Sequence, residues 1–459
     1  MKQSPSQTAR VALVHLGCAR NLIDSELILA RMAERGLVIT DDPSQAHTVV
    51  LNTCSFIGPA REESEAVLGE LLALKAAGDV RAVVVAGCLV QRYKEALAQR
   101  FPEVDLFAEI SDYSALADSI RGLVDGEDVE SYIRAEAQDG QQREGARLLA
   151  TPASYAYLRI SHGCDHTCAF CAIPSIRGAH RSKRPGAVLE EARELIATGT
   201  RELVLVAEDS TAWGRETGRD LADLVEALAD LEGEHQLRVM YAYPNRFPWR
   251  LTELLRDHPR VIPYLDIPIQ HLATPVLRAM GRSGSGDAVR RTLLRLREEV
   301  PGITLRTTLL MGFPGETDAD AAEVTKFVSE AGISRLGAFI YSPEEGTPAW
   351  DLPDRVPAPM AQARFDALME VRDEVLLRVQ KSQIGVPQEV LVDEIRPGAE
   401  GAPAQALTRG VADAPEVDMI SSVELPTDQH FAVGQRLMVT PRDLDTEGNL
   451  LCVLTEGEC

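Results

Sequence analysis

Four strand-like apolar runs in this 459-residue sequence are each followed within a few residues by a cysteine. Val11–Leu16 leads to Cys18, Thr48–Leu51 to Cys54, Ala82–Ala86 to Cys88, and Ala156–Ile160 to Cys164. Apolar runs that alternate with amphipathic helical stretches build parallel sheets wrapped by helices. In such sheets the loops at the carboxyl ends of the strands converge on one crevice. The cysteines that follow the first three runs in that register are therefore delivered to one site.

Three blocks follow, which together predict an α/β protein. Residues 8–124 alternate the first three runs with the helix-like stretches Ser25–Arg35, Arg61–Ala77 and Tyr93–Gln99, which predicts an N-terminal doubly wound parallel α/β domain. Residues 125–149 are polar and read as a linker. Residues 150–383 carry six candidate strands: Ala156–Ile160, Glu202–Val206, Arg238–Tyr241, Ile262–Leu265, Ile303–Leu310 and Arg335–Ile340. Helical patterns such as Glu190–Ala197, Leu221–Leu231 and Ala321–Glu330 separate most of them. The alternation predicts a partial (βα)6 barrel, smaller than the eight-stranded closed form. Residues 384–457 carry short apolar runs (Val390–Val392, Leu437–Thr440, Leu450–Leu454) between Gly and Pro turns, the pattern of a small all-β, OB-like barrel.

Charge narrows the partners. The chain has 70 Asp and Glu against 47 Lys and Arg, a net −23. Phosphate binding needs a surplus of Lys and Arg, so a general nucleic-acid binder is disfavoured and a neutral or basic partner favoured. The stretch Gly385–Cys459 alone holds 14 acidic and 4 basic residues. The N-terminal ten residues lack the apolar core of a signal peptide, and no run approaches the ~18 apolar residues of a membrane span. A cytoplasmic protein with no membrane partner is expected. In a reducing compartment, clustered cysteines bind metal or do chemistry more often than they form disulfides.

The densest cluster is Cys164-Asp165-His166-Thr167-Cys168-Ala169-Phe170-Cys171. Three thiolates from one short loop can hold three irons of a four-iron cubane, leaving the fourth iron open for chemistry. A zinc site completed by His162, His166 or His180 is the competing assignment. Cys18, Cys54 and Cys88, in one register of three βα units, point to a second three-cysteine cluster with one open iron. Gly17 and Gly87 beside them would allow close backbone approach. Three unrelated buried thiols are the alternative here.

The triplet, with an aromatic before its last cysteine, resembles the radical S-adenosylmethionine (SAM) enzymes. That resemblance implies SAM bound through the open iron and cleaved to a 5′-deoxyadenosyl radical. Two triplets, one per domain, resemble the methylthiotransferases of that superfamily, which end in a TRAM barrel. The resemblance covers nearly the whole chain. It implies two [4Fe-4S] clusters, the N-terminal one carrying sulfur, and SAM as both methyl and radical source. Several stretches look like the branch that modifies an aspartate of the small-subunit ribosomal protein numbered twelve. They are Leu16–Glu26, Gly163–Gly178, Glu208–Gly214 and Ala412–Asp418. In the third, Glu208 stands where that branch more often has Gln. Tyr264–His271 and Met311–Thr317 match stretches common to both branches. The other branch modifies a tRNA adenosine, and the acidic barrel makes tRNA the less favoured substrate. The implied partners are a basic ribosomal protein, free or within the ribosome, and a reductant such as flavodoxin or ferredoxin. A non-catalytic iron–sulfur or zinc protein that docks on the ribosome is the rival from another class.

By the same resemblance Gly312, Pro314 and Gly315 flank the SAM adenosine. Arg306 on the preceding strand is a candidate for the SAM carboxylate, with a structural ion pair as the alternative, and Glu208 is a further candidate SAM contact. Arg177 and Arg181, just past the triplet, are candidates for the substrate aspartate. Radical abstraction needs no acid–base pair, so no catalytic residue is assigned. His271 is read as a barrel-rim histidine. Cys452 and Cys459 are read as bystanders, and Trp213 and Trp350 as packing residues.

Overall fold

The computed structural model describes residues 10–110, 113–134, 144–398 and 403–455, and forms three units in the predicted order. The first contains β1 (Arg10–His15), α1 (Ala19–Glu34), β2 (Val38–Thr40), β3 (Thr48–Thr53), α2 (Gly58–Ala77), β4 (Ala82–Gly87), α3 (Cys88–Tyr93), α4 (Glu95–Arg100), β5 (Leu106–Ala108), α5 (Tyr113–Asp125) and β6 (Tyr132–Ile133). Its strands pair in the order β2-β1-β3-β4-β5-β6, all parallel. Every residue of β3 and β4 is buried, as expected where helices cover both faces of a parallel sheet. The strand order reverses between β1 and β3, which is where ligands bind in this architecture.

Two local readings change. Helix α1 starts six residues before the predicted Ser25, directly after Cys18. Its first turns carry Asn21, Asp24, Ser25 and Glu26, polar yet fully buried, and they hide the apolar period. The helix predicted over Tyr93–Gln99 is two short helices parted at Lys94, whose φ is 49°. Part of the stretch read as linker also has structure: β6 extends the sheet, and Arg147 is buried 3.3 Å from Glu191.

The core contains β7 (Tyr155–Arg159), β8 (Ser161–His162), α6 (Ile173–Arg177), β9 (Arg181–Ser182), α7 (Pro185–Ala197), β10 (Glu202–Val206), α8 (Leu221–Ala229), β11 (Gln236–Val239), α9 (Arg250–Asp257), β12 (Val261–Asp266), α10 (Thr274–Ala279), α11 (Gly286–Glu299), β13 (Thr304–Met311), α12 (Asp318–Ala331), β14 (Arg335–Ile340) and α13 (Ala358–Gln383). The sheet β14-β13-β12-β11-β10-β7 is parallel and in chain order, an open (βα)6 barrel. Its outward residues pack under the helices. Its inward residues, among them Tyr157, Val206, Met240 and Tyr264, share one hydrophobic cluster with Ile23 and Leu27 of α1. The first unit thus fills the open inner face of the second.

The third unit is a closed barrel of β15 (Gln388–Arg396), β16 (Ala404–Arg409), β17 (Ser421–Leu425), β18 (Arg436–Leu444) and β19 (Leu450–Leu454), paired in the order β15-β16-β17-β19-β18. β16 and β17, which alternate small and polar residues, were not among the predicted strands. The loop after β16 carries Ala412–Asp418 and closes the floor of the core. Tyr157 donates to Glu416 Oε2 (2.7 Å) and Tyr264 to Asp418 Oδ2 (2.6 Å), while Arg335 Nε donates to Asp413 Oδ1 (2.8 Å). Cys452 is buried in the barrel core, and Cys459 lies outside the described residues. Among the described residues no helix is long and apolar enough to cross a membrane.

Glu202, at the start of β10, joins core and barrel. It accepts from Arg238 Nε at 2.6 Å and from Arg409 Nη1 at 3.1 Å. Burial alone would raise this carboxyl, but the two guanidiniums outweigh it and hold it down to about 2, against an ordinary 4.5. A depressed carboxyl stabilises the fold above its unfolded value, and that contribution fades as pH falls from 4.5 toward 2. Removing one partner of a buried pair costs about 3–5 kcal/mol. Glu202→Gln is therefore expected to lose stability at pH 7 and to close the gap to the parent protein as pH falls. Denaturant melts at pH 7 and pH 3 measure this, and an unchanged gap would rule out the ion pair as the cause.

Candidate functional site

Cys18 precedes the first turn of α1, Cys54 follows β3 and Cys88 opens α3, so all three stand at the carboxyl end of the first sheet, beside the β1/β3 switch point. Close backbone approach is built in, since a Cβ on Gly17 would stand 2.9 Å from Cys54 Cβ. The three thiols lie within electrostatic reach of one another. Asn21 pins the loops by donating to Leu16 O (2.7 Å) and Thr53 O (3.2 Å).

The second triplet occupies the loop between β8 and α6. Cys164 N bonds Gly178 O (3.1 Å) and Cys171 N bonds Cys168 O (3.1 Å), which folds the loop back on itself. Ala169 is clamped from both sides, its N–H on Met280 O and its carbonyl on Ala349 N–H, each at 2.8 Å. Phe170 packs edge-on against Phe313 at 6.4 Å. Arg282 Nη1 stands 3.8 Å from Cys168 Sγ. These three thiols also lie within reach of one another.

Both triplets suit iron–sulfur clusters. Among the described residues no three ligand-type side chains close on the single point that one metal ion needs. In a cubane each thiolate takes a different iron, so its triangle is wider. Two of the histidines considered for zinc turn elsewhere: His166 Nε2 pairs with Asp209 Oδ2 at 2.7 Å, and His180 Nε2 with Ser182 Oγ at 3.2 Å. Burial pushes the thiols of Cys54 and Cys164 up to about 11 and that of Cys171 up to about 12. At Cys18 burial acts the same way, but Arg20 and Arg177 outweigh it and leave the thiol below its ordinary value. Iron binding must displace the protons.

The two triplets approach each other at the domain boundary, where Cys88 packs with Ala172 and Ile176, just past Cys171, and Arg177 Nη2 reaches Cys88 Sγ at 3.3 Å. Asp24 ties the units together, its Oδ1 accepting from Arg159 (2.5 Å) and its Oδ2 from Arg177 (2.8 Å). Glu344, fully buried after β14, accepts from Gly58 N–H (2.7 Å) at the start of α2 and from Arg92 (3.0 Å), and also pairs with Arg61. These ion pairs, absent from the sequence reading, hold the first unit against the second.

Other candidates fall in different places. Arg177 is buried on Asp24 and Cys88, which removes it from the substrate set, while Arg181 is exposed in β9. Arg306 is ion-paired with Asp266 (3.1 Å) and Asp418 (3.4 Å) in the barrel floor, so its charge is met within the chain rather than left for a SAM carboxylate. A Cβ on Gly312 would stand 2.5 Å from Ala361 Cβ, so that glycine admits α13. Pro314 is buried and Gly315 exposed. Glu208, just past β10, has a buried Oε2 without a hydrogen-bond partner and lies within electrostatic reach of Arg20, Arg177 and Cys164. His271 is buried, its Nδ1 accepting from Ala273 N–H (3.0 Å). Trp213 is buried, with Nε1 on Lys183 O (3.0 Å), while Trp350 is partly exposed under Arg355.

Beside Cys164 opens a cavity of about 490 Å³, lined by His166, Asp209, Arg215, Tyr243 and Arg246 among others. His166 stacks on Tyr243 with ring centroids 3.9 Å apart. Arg246 adopts φ 58°, and Tyr241 and Gln270, also past carboxyl ends of core strands, adopt 60° and 69°. Non-glycine residues in that region gather at functional sites.

Residues 10–109 match the uncharacterized protein family UPF0004, and residues 158–328 match the radical SAM superfamily. The chain is 41% identical over 386 residues to the ribosomal protein uS12 methylthiotransferase RimO of Trichlorobacter lovleyi, covering 84% of this chain and 86% of that protein. It is 40% identical over 446 residues to the RimO of Syntrophobacter fumaroxidans, covering 96% and 98%. Among solved structures, the radical SAM methyltransferase TsrM from Kitasatospora setae superposes with a TM-score of 0.52 at 14% identity, over 86% of this chain and 82% of that one, a likeness of fold alone.

Gly163, with φ 69°, offers a direct check on the core loop. A Cβ there would lie 2.2 Å from Ala179 O and 2.5 Å from Gly178 O. Gly163→Ala is expected to displace Cys164 and to halve bound iron, from about eight to about four per chain if each triplet holds a four-iron cluster. Iron analysis after reconstitution measures this. Full iron content would show that the loop tolerates the shift.

Proposed function

The chain belongs to the RimO family of ribosomal protein uS12 methylthiotransferases, and from that premise we propose that it inserts a methylthio group at the β-carbon of an aspartate of uS12. It is a radical SAM transferase with [4Fe-4S] clusters. One observation carries the finer reading: two cysteine triplets, one per unit, approach each other at the domain boundary, where Arg177, six residues past Cys171, reaches Cys88 Sγ at 3.3 Å. In this reading Cys164, Cys168 and Cys171 hold the cluster that binds SAM, and Cys18, Cys54 and Cys88 hold the second.

When bound, the clusters and SAM supply hydrogen abstraction, the methyl group and the sulfur, chemistry that belongs to the cofactors. The chain's own residues position and enclose. Glu208, with a buried oxygen lacking a donor, suits the SAM ammonium group. Gly315 and Pro314 are the remaining candidates beside the adenosine, since the Gly312 N–H is already taken by Glu316 (2.9 Å). Arg215 and Arg246 in the cavity next to Cys164 suit the substrate carboxylate, which guanidinium groups bind in bidentate geometry. Phe170, Phe313 and Tyr341 form an apolar support under the core loop, and the first unit covers its mouth, which restricts water. The reductant would be a flavodoxin or ferredoxin. A ribosomal protein substrate implies work in the cytoplasm.

Two experiments test this. Cys168→Ala is expected to abolish reductive SAM cleavage, whereas Cys54→Ala keeps part of it and forms no methylthio product. Equal loss of cleavage in both would deny the triplets separate roles. Mass spectrometry of uS12 from a strain lacking this gene should find the aspartate without its methylthio group. If the aspartate keeps it and a tRNA adenosine loses one, the substrate assignment fails.

A further inference from the structure

Two arginines cross the boundary between the units in opposite directions. Arg20, two residues past Cys18, crosses into the core: its Nη1 donates to Ala207 O (2.9 Å), and its guanidinium lies 4.9 Å from the Tyr241 ring centroid. Arg177, the last residue of α6, crosses the other way. Its Nη2 approaches Cys88 Sγ at 3.3 Å and Asn21 Oδ1 at 3.4 Å, while Nη1 is anchored on Asp24. Asp24 also accepts from Arg159 at 2.5 Å, so this carboxylate fixes the Arg177 side chain beside Cys88. Guanidiniums in so little water act strongly on a nearby anionic centre. A cluster ligated by three thiolates is such a centre.

We propose that Arg177 and Arg20 are positioning residues that hold the two cysteine triplets in register across the domain boundary and raise the reduction potential of the N-terminal cluster. The proposal rests on the two-cluster reading above. Hydrogen bonds to cluster sulfurs and nearby positive charge both favour the reduced, more negative form. The two arginines differ in reach. Arg177 touches a cysteine of the first triplet, whereas Arg20 follows Cys18 by two residues and is anchored in the core on Ala207 O and the Tyr241 ring.

The test is a redox titration of the full chain with both clusters reconstituted, followed by electron paramagnetic resonance. Addition of SAM marks the core cluster's wave. Arg177→Gln is expected to move the other wave to more negative potential and leave the SAM-sensitive wave in place. Arg20→Gln is expected to move both. Arg177→Lys should restore the potential, while the magnetic coupling between the reduced clusters changes because the two-pronged hold on Asp24 and Cys88 is lost. If Arg177→Gln does not fold, Arg20→Gln and Arg177→Lys carry the test. Unmoved potentials at full iron content, or equal displacement of both waves by Arg177→Gln, would overturn the role of the arginines alone. Half the iron in the parent protein would instead overturn the two-cluster reading, and the proposal with it.

Discussion

A carboxylate shut away from water must be paired, and Asp24 is paired twice, by Arg159 at the end of β7 and by Arg177 at the end of α6. Breaking such a buried pair costs several kcal/mol, because the remaining charge stays in a medium that cannot solvate it. The two units therefore meet in one orientation. That orientation brings the two cysteine loops together, with Arg177 reaching Cys88 Sγ at 3.3 Å. The polar stretch Asn21–Glu26 is the ridge that does this. Asn52 Nδ2 bonds Asn21 O (3.0 Å) and Ser25 Oγ (2.8 Å), and Glu26 Oε1 accepts from Ala150 N–H (2.9 Å). Residues that look like a solvated helix start are buried because the second unit replaces the solvent.

That replacement explains which features were legible in the sequence. The strand runs, their parallel order and the six cysteines follow local rules: apolar period, strand length and position after a strand. Arg177 and Arg306 follow no local rule. As an arginine just past a reactive loop, Arg177 reads as a substrate contact until a carboxylate 153 residues earlier in the chain claims it. Arg306 reads equally as a SAM ligand or as half of a structural ion pair, and only the distant Asp266 and Asp418 supply the pair. Long-range ion pairs leave no periodic trace, so charged residues near a site are misassigned where apolar ones are not. The short strands were missed for a related reason. β6 and β16 are held by sheet neighbours rather than by their own β-propensity, which depends on context.

The stretch Ala412–Asp418, which resembled a family signature, acquires a physical role in the same way. Its acids are ligands for the core floor: Asp413 for Arg335, Glu416 for Tyr155 and Tyr157, Asp418 for Tyr264 and Arg306. An open barrel leaves the inner ends of its strands uncovered, and here a loop of the third unit covers them. Such a loop is constrained by the core as strongly as by any substrate.

This divides the negative charge of the third unit into two kinds. Asp393, Asp413 and Asp418 are spent on contacts with arginines and a tyrosine inside the molecule and exert little field outside it, whereas Glu416 bonds Tyr157 but is exposed. Glu389, Glu394, Glu424, Asp428, Asp443 and Glu447 are exposed. Three of the unit's four arginines are already paired, Arg396 with Glu394, Arg409 with Asp393 and Glu202, and Arg436 with Glu389. A phosphate backbone approaching this barrel would meet acids and little free cation, so the counterion-release term that drives RNA binding is nearly absent. A basic polypeptide would meet complementary charge, which raises its association rate and falls off with added salt. The net charge of the chain overstates this field, because part of it is structural glue. The exposed remainder still has the sign that suits a basic protein substrate.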